Sequence, residues 1–321
     1  MDVPNSPGVS EIERMLTFLV RTAQVPVEQP DDVYSSAVGL LFPDNIRTFH
    51  GDPGSYVTYL SKRFGDIKLS LADPLKQEDR TLFAHFIWNS GIQMAEFISQ
   101  ASDEAKDEKD ERWNVEGETV LELGAGTGIV GITSALAGGR EVVLSDYPSQ
   151  KILTNLKVNV DRNIAEALQA ERKVAVQGHE WGVLTDDFSK ENAHRFTRIL
   201  CADCLWMDGN HFGLAQSIEH FLSYKEGARA WVIAGFHTGR AKLVSFFDIT
   251  VQAGLEVEKI WERDADGNER DWEREREDKE RNRWMVLAIL KRGNKMEGMS
   301  DKEKQQRFYA SMLMQKSNRH T

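Results

Sequence analysis

The sequence predicts an α/β protein: a seven-stranded, mostly parallel sheet with helices on both faces, behind an N-terminal extension. From Thr119 onward, short apolar runs alternate with longer amphipathic stretches, the pattern of a parallel sheet covered on both sides. The first of those runs passes directly into a glycine-rich turn, Gly124-Ala125-Gly126-Thr127-Gly128, and then into a helical stretch. A hydrophobic fraction of 40% over 321 residues is enough for one sizeable core.

Residues 1–80 read as irregular. Within them Ser10–Ala23 has the signs of a short helix, with Ser10 as N-cap and Ile12, Met15, Leu16 and Leu19 on one face. Pro26, Pro30, Pro43, Pro53 and Pro74 then keep the chain extended or turning. Thr81–Gln100 reads as a helix with Leu82, Phe86, Ile87, Met94 and Phe97 apolar, and the charged stretch Asp103–Arg112 as a linker.

Strands are expected at Thr119–Leu123, Glu141–Ser145, Val174–Gln177, Arg198–Ala202, Ala230–Ala234, Leu255–Trp261 and Trp284–Lys291. Helices are expected at Thr127–Leu136, Gln150–Asn159, Ile164–Glu171, Phe212–Ser223 and Arg240–Ala253. Only a charged connection separates the last two strands, which predicts an antiparallel hairpin. In that connection, Glu262–Arg283, 17 of 22 residues are charged, as in a solvated extension or a docking surface. The expected organisation is an extension with a covering helix over 1–112, a catalytic domain over 113–292 and a polar tail over 293–321.

Net charge is −11, which disfavours phosphate backbones, so direct nucleic-acid binding is not expected and a basic protein segment or small cation fits better. The two cysteines, Cys201 and Cys204, are too few for a disulfide framework. They form a C-x-x-C whose first cysteine lies inside a strand, away from the helix start a redox pair needs, and two further ligands for zinc are lacking at suitable spacing. Met1–Ser10 has no leader pattern and no apolar run approaches the ~20 residues that cross a bilayer, so a cytoplasmic, and also nuclear, location without membrane insertion is expected.

The chemistry concentrates around Glu122 and the glycine turn. Glycines let the backbone turn tightly and approach a ligand, and the following helix start presents free N–H groups. Gly126-Thr127-Gly128-Ile129-Val130-Gly131 also fits the dinucleotide pattern G-x-G-x-x-G, with Asp146 at the end of the second strand to take ribose hydroxyls. Three features weigh against a dinucleotide. A carboxylate at Glu122 would repel a pyrophosphate, yet would attract a sulfonium or, through water, an amino group. The turn falls unusually late, behind an aromatic-rich extension. No hydride-transfer constellation follows.

Several stretches then carry a resemblance: Phe86-Ile87-Trp88-Asn89-Ser90-Gly91, Val120–Gly128, Leu144-Ser145-Asp146-Tyr147-Pro148, His179-Glu180-Trp181-Gly182 and Ala202-Asp203-Cys204-Leu205-Trp206, with Gly39-Leu40-Leu41-Phe42-Pro43 before them. In this order over roughly residues 39–291 the chain resembles the class I methyltransferases. Within them it is most similar to the fungal nicotinamide N-methyltransferase-like proteins of the family 16 lysine methyltransferases, which include enzymes acting on elongation factor 1-alpha. The resemblance implies a Rossmann-like domain using S-adenosylmethionine and releasing S-adenosylhomocysteine. Glu122 and Gly124, Ala125, Gly126, Thr127 and Gly128 would hold the methionine part of the cofactor. Asp146, beside Tyr147, would take the ribose hydroxyls, and Glu180 and Trp181 would meet the adenine, for which an indole supplies a flat stacking surface. Trp88 and Asn89 would close over the cofactor, and Ala202 ends the strand beneath it. The sequence departs from the family where Asp-x-x-Tyr is common: here the residues are Asp203-Cys204-Leu205-Trp206, so a tyrosine hydroxyl is missing.

On this reading Asp203 would receive a cationic amine and Trp206 would form an aromatic wall. His237, after the fifth strand, is a second candidate for handling the amine proton. The expected activity is N-methylation of a protein lysine or N-terminal amine. A small-molecule N- or O-methyltransferase, and a methyltransferase-like subunit working through a partner, are the alternatives.

Overall fold

The computed structural model describes residues 19–22, 49–73, 86–103, 110–277 and 281–293. Residues 10–18 and 23 of the first expected helix, 81–85 of the second, and the tail from 294 lie outside the described residues.

The described residues of the N-terminal part hold more regular structure than the neighbouring prolines suggest. Val20–Thr22 is strand β1, not the end of a helix, and pairs antiparallel with β3 (Tyr56–Ser61). Between them in sequence lies β2 (Phe49–His50). β3 folds back on β4 (Gly65–Ser70), giving a three-stranded sheet in the order β1-β3-β4. Its period-two pattern buries Val57, Tyr59, Ile67 and Leu69. The helix expected from Thr81 begins only at Asn89: Ile87–Trp88 is extended as β5, pairs with β2, and α1 occupies Asn89–Ala101. The bulky Phe86-Ile87-Trp88 run favours an extended backbone and meets Phe49, 4.6 Å from Phe86 and 5.3 Å from Trp88 between ring centroids.

The central sheet follows. Its elements are β6 (Thr119–Leu123), α2 (Ile129–Leu136), β7 (Glu141–Asp146), α3 (Gln150–Asn163), α4 (Glu166–Glu171), β8 (Ala175–Gly178), α5 (Asp187–Glu191), β9 (Arg198–Ala202), α6 (His211–Phe221), β10 (Arg229–Gly235), α7 (Arg240–Gln252), β11 (Leu255–Asp264), β12 (Glu269–Asp271) and β13 (Trp284–Arg292). Strand order is β12-β11-β13-β10-β9-β6-β7-β8. From β10 to β8 neighbours run parallel; β13, β11 and β12 are antiparallel. The seven expected strands are therefore joined by an eighth, β12, at the edge.

Alternation along each strand feeds two apolar layers. Val120, Leu144, Trp231, Ile233 and Leu287 face α1, α2, α3 and the N-terminal hairpin, while Leu121, Leu123, Val232, Ala234 and Val286 face α6 and α7. The hairpin is pinned to α3 by asparagines spaced one turn apart. Asn159 Oδ1 accepts from Ser70 N at 2.7 Å and Asn163 Oδ1 from Lys68 N at 2.9 Å, while their Nδ2 groups donate to the same residues' carbonyls. Asn159 also donates to Thr127 O at 3.0 Å, tying hairpin, helix and glycine turn together. On the other side of the hairpin, the Tyr59 hydroxyl donates to the Glu96 carboxylate of α1.

The expected solvated connection at Glu262–Arg283 is instead packed inward at its base. Glu262 and Asp264 are buried and ion-paired, Glu262 to Arg240 and Arg270, Asp264 to Arg283. Burial follows from the length of β11, whose last residues still pair with β13.

Candidate active site

A cleft of about 300 Å³ opens where the parallel strands end, at the point where the order reverses between β6 and β9. Its floor is the glycine turn. Gly124 has φ +69, and a Cβ there would sit 2.9 Å from both Cys204 Sγ and Trp181 Cζ2, so only bare backbone fits beside the indole. Gly128, at φ +80, is the N-cap of α2. It faces Leu156 and Leu144 and does not line the cleft.

Two carboxylates stand on this floor. Asp146 Oδ2 accepts from Gly126 N at 2.6 Å and Oδ1 from Tyr147 N at 2.7 Å; burial raises its pKa to about 6 against those two bonds. Glu122 Oε2 accepts from Gly131 N at 2.8 Å, and burial, with Asp146 adding to it, raises its pKa to about 8. Part of the Glu122 carboxylate is thus committed to the helix behind the turn as well as facing the cleft.

At the far wall, Glu180 and Trp181 follow β8. The Trp181 backbone is fixed by α6, where a Cβ on Gly213 would lie 2.7 Å from Trp181 O. Gly182 N donates to Ser217 Oγ at 2.9 Å, and that hydroxyl also bonds His179 Nε2 at 2.9 Å. Burial lowers the His179 pKa to about 4, so the ring is neutral at pH 7.

The part of the cleft around Asp203 is aromatic and acidic. Asp203 holds a left-handed backbone, φ +57, rare for a residue with a side chain. Ser90 Oγ donates to its Oδ2 at 3.1 Å, Gly235 N to its Oδ1 at 3.3 Å, and His237 Nε2 lies 3.5 Å from Oδ1. Burial pushes the Asp203 carboxyl above its usual range, opposed by His237, Gly235 and Ser90. Trp88 and Trp206 line the cleft on this side.

The cleft thus gathers Trp88, Glu122, Gly124, Ala125, Gly126, Thr127, Asp146, Tyr147, Glu180, Trp181, Ala202, Asp203 and Trp206 of the residues expected from sequence. Besides Gly128, two of the expected residues do not line it. Asn89 Oδ1 is bonded to His50 Nε2 at 2.8 Å, because the β2–β5 pairing brings that histidine alongside. His237 lies behind Trp88, its ring stacked on the indole at 5.0 Å and 23°.

A profile of the lysine methyltransferase family matches residues 70–252, more than half of the chain. The chain belongs to the lysine methyltransferase family. It is 30% identical over 204 residues to the protein N-terminal and lysine N-methyltransferase efm7 of Schizosaccharomyces pombe, covering 61% of this chain and 72% of the relative. The protein of the same name from Gibberella zeae is 30% identical over 199 residues, covering 57% and 70%. Among solved structures, ribosomal protein L11 methylase from Lactobacillus delbrueckii aligns at 17% identity over 63% of this chain and 80% of that one, with a TM-score of 0.38. The protein is an S-adenosylmethionine-dependent methyltransferase.

The methyltransferase's own geometry fits that cofactor: a turn bare of side chain at Gly124 and Gly126 beside the half-buried Trp181 indole, the Glu122 and Asp146 carboxylates at the ends of β6 and β7, and an apolar roof. Sequence reasoning missed Phe86, Ile87 and Gly91 in that roof, and Ser90 as the partner of Asp203. All four sit in the Phe86–Gly91 stretch, where only Trp88 and Asn89 stood out. Among the described residues no helix is long and apolar enough to cross a membrane.

Proposed function

We propose that this methyltransferase N-methylates an amine of a protein, either a terminal α-amine or a lysine, and that the acceptor meets Asp203 at the aromatic end of the cleft. The observation that carries this is Asp203 itself. A buried carboxylate held in a left-handed turn by Ser90 and Gly235, in a cleft that Trp88 and Trp206 also line, is suited to receive a cation. The names of the two fungal relatives, which specify protein N-terminal and lysine acceptors, support the same substrate class.

Bound S-adenosylmethionine supplies an electrophilic methyl group on a positively charged sulfur. In this reading the Gly124–Thr127 backbone and Glu122 hold the methionine part, Asp146 the ribose hydroxyls, and Trp181 the adenine face. Trp88 and Phe86 exclude water from above, which strengthens each of these contacts. Asp203 orients the incoming amine in line with the methyl group, and alignment is the main demand such a displacement makes. Bound as an ammonium, the amine must release its proton to solvent before the methyl group moves, which frees the nitrogen lone pair. An α-amine, with an ordinary pKa of about 7.7–8.0, meets that condition more readily than lysine at about 10.4, which suits a pocket where Trp206 stands in place of a tyrosine hydroxyl.

The test is to incubate the purified protein with cell extract and methyl-labelled S-adenosylmethionine. A labelled polypeptide whose tryptic peptides carry the methyl group on an α-amine or lysine is expected. Label confined to small molecules, or no label with the cofactor bound, would overturn the proposal.

A further inference from the structure

The charged arm that follows β11 makes contacts that bear on the acceptor end of the cleft. Glu262 is fully buried and takes both oxygens to arginines: Arg240 at 2.6 and 3.0 Å and Arg270 at 2.8 Å, with Arg276 at 3.8 Å. Burying a carboxylate among guanidiniums seldom adds stability over an apolar replacement, because desolvation offsets the attraction. Arg240 is also the first residue of α7, where the helix dipole disfavours a cation, and Gly239 before it offers no side-chain cap. Neither the helix dipole nor capping accounts for an arginine at this position.

What Arg240 touches does. Its guanidinium lies 4.2 Å over the Phe236 ring and 5.2 Å over the Trp272 ring, and it donates to Glu273 O at 2.7 Å. Trp272 in turn stacks on Phe236 at 6.1 Å and 16° and packs against Phe247 of α7. Phe236 opens the short 3-10 turn Phe236–Thr238, whose next residue is His237, stacked on Trp88 and facing Asp203. Strand β11, the arm and the start of α7 therefore close on the one turn that carries His237.

We propose that the arm is a positioning device: the Glu262–Arg240 pair and the Trp272 ring clamp the Phe236–Thr238 turn so that His237 stays against Trp88 and keeps Asp203 aimed at the acceptor. The consequence for turnover rests on the function proposed above; the clamp itself does not. Glu262, Arg240 and Trp272 are positioning residues that act through His237.

The clamp is read by nuclear magnetic resonance. The chain has eight histidines, few enough for their ring Cε1–H signals to be resolved in histidine-labelled full-length protein. The His237 signal is assigned by its loss in His237→Gln. Stacking on an indole displaces it by ring current, and the displacement is measured against Trp88→Leu. In Trp272→Ala most of that displacement is lost, while Trp272→Phe, which keeps an aromatic shelf, retains it. Glu262→Gln loses it as well; if that variant does not fold, the two Trp272 variants decide. In Trp272→Ala, S-adenosylmethionine affinity by calorimetry stays as in the unaltered protein, and kcat for the labelled polypeptide falls with KM little changed. A His237 signal that stays in place in Trp272→Ala overturns the clamp, whatever the activity does. Failure to find a methylated polypeptide leaves the resonance result intact and counts only against the proposed function.

Discussion

The Glu122 carboxyl accepts the Gly131 backbone N–H at 2.8 Å, so the first turn of α2 is closed from the strand side. The N-cap of α2 is Gly128, which has no side chain to cap with, and the Glu122 carboxyl takes over that role by accepting the Gly131 N–H. A carboxylate at this position is therefore a structural group of the turn before any ligand is considered.

Glu122 makes stability depend on pH. Its pKa rises from 4.5 to about 8 on folding. The unfolded chain sheds this proton first as pH rises, so the stability present below pH 4.5 is lost progressively up to about 8. Glu122→Gln keeps an oxygen for Gly131 and has no charge to bury, so its melting temperature is expected to fall less across that interval. Thermal melts at several pH values check this; parallel curves for the two proteins would reject it.

Asp146→Asn is expected to weaken S-adenosylmethionine binding by roughly 1.5–3 kcal/mol, a loss on the order of ten- to a hundredfold, as for a hydrogen bond to a charged group. The variant keeps one oxygen for Gly126 and so should fold. Calorimetric titration giving an unaltered Kd would remove Asp146 from the cofactor site.

Gly124→Ala tests the floor. The added methyl meets Cys204 and Trp181 at 2.9 Å and forces a side chain into a positive-φ position, a strain of about 1–2 kcal/mol. Cofactor affinity should drop sharply, with a smaller loss in melting temperature. Wild-type binding by Gly124→Ala would show that the indole and the turn are not set by this contact.

Asp203→Asn is the suitable probe of the acceptor end, since asparagine tolerates the left-handed conformation at φ +57. Turnover should fall on the order of a hundredfold, as for lost alignment of reactants, while cofactor affinity holds. Equal kcat in the variant would rule out a role for the carboxylate.

The legible parts of this fold are those where burial writes an unbroken pattern. β6, β7, β9 and β10 are covered on both faces, so they are short apolar runs, and the turn after β6 needs its glycines for positive φ. The β3–β4 hairpin also carries a period-two signal, with Val57, Tyr59, Ile67 and Leu69 inside, but neighbouring prolines draw the eye to turns. Its partner signal lies far away, in Asn155, Asn159 and Asn163, whose four-residue spacing gains meaning only against a strand edge. The Trp88–His237 stack and the Ser90–Asp203 bond join segments distant in sequence, and nothing local announces them. In the arm, Arg263, Arg270, Arg274 and Arg276 are partly covered while Glu269, Asp271, Glu273, Glu275 and Glu277 are exposed. The composition is legible there, but which charges turn inward depends on Glu262 and Asp248 waiting beneath.

Asn159→Leu should lower stability by roughly 2–3 kcal/mol, since it strips partners from Ser70 and Thr127 together, and should reduce the melting temperature by several degrees. Because Thr127 belongs to the glycine turn, cofactor affinity should decline too. A variant that melts and binds normally would mean the hairpin is not held through this side chain.

The asparagine row has a further effect. Among the described residues β4 is the last strand of its small sheet, and the outward N–H and C=O groups of Lys68 and Ser70 would ordinarily offer a template to a strand from another molecule. Amide side chains from α3 already satisfy them, mimicking a neighbouring strand with material that cannot itself be extended. The same contacts that dock the hairpin thus guard the molecule against edge-to-edge self-association, so loosening the row is expected to raise aggregation as well as lower the melting point.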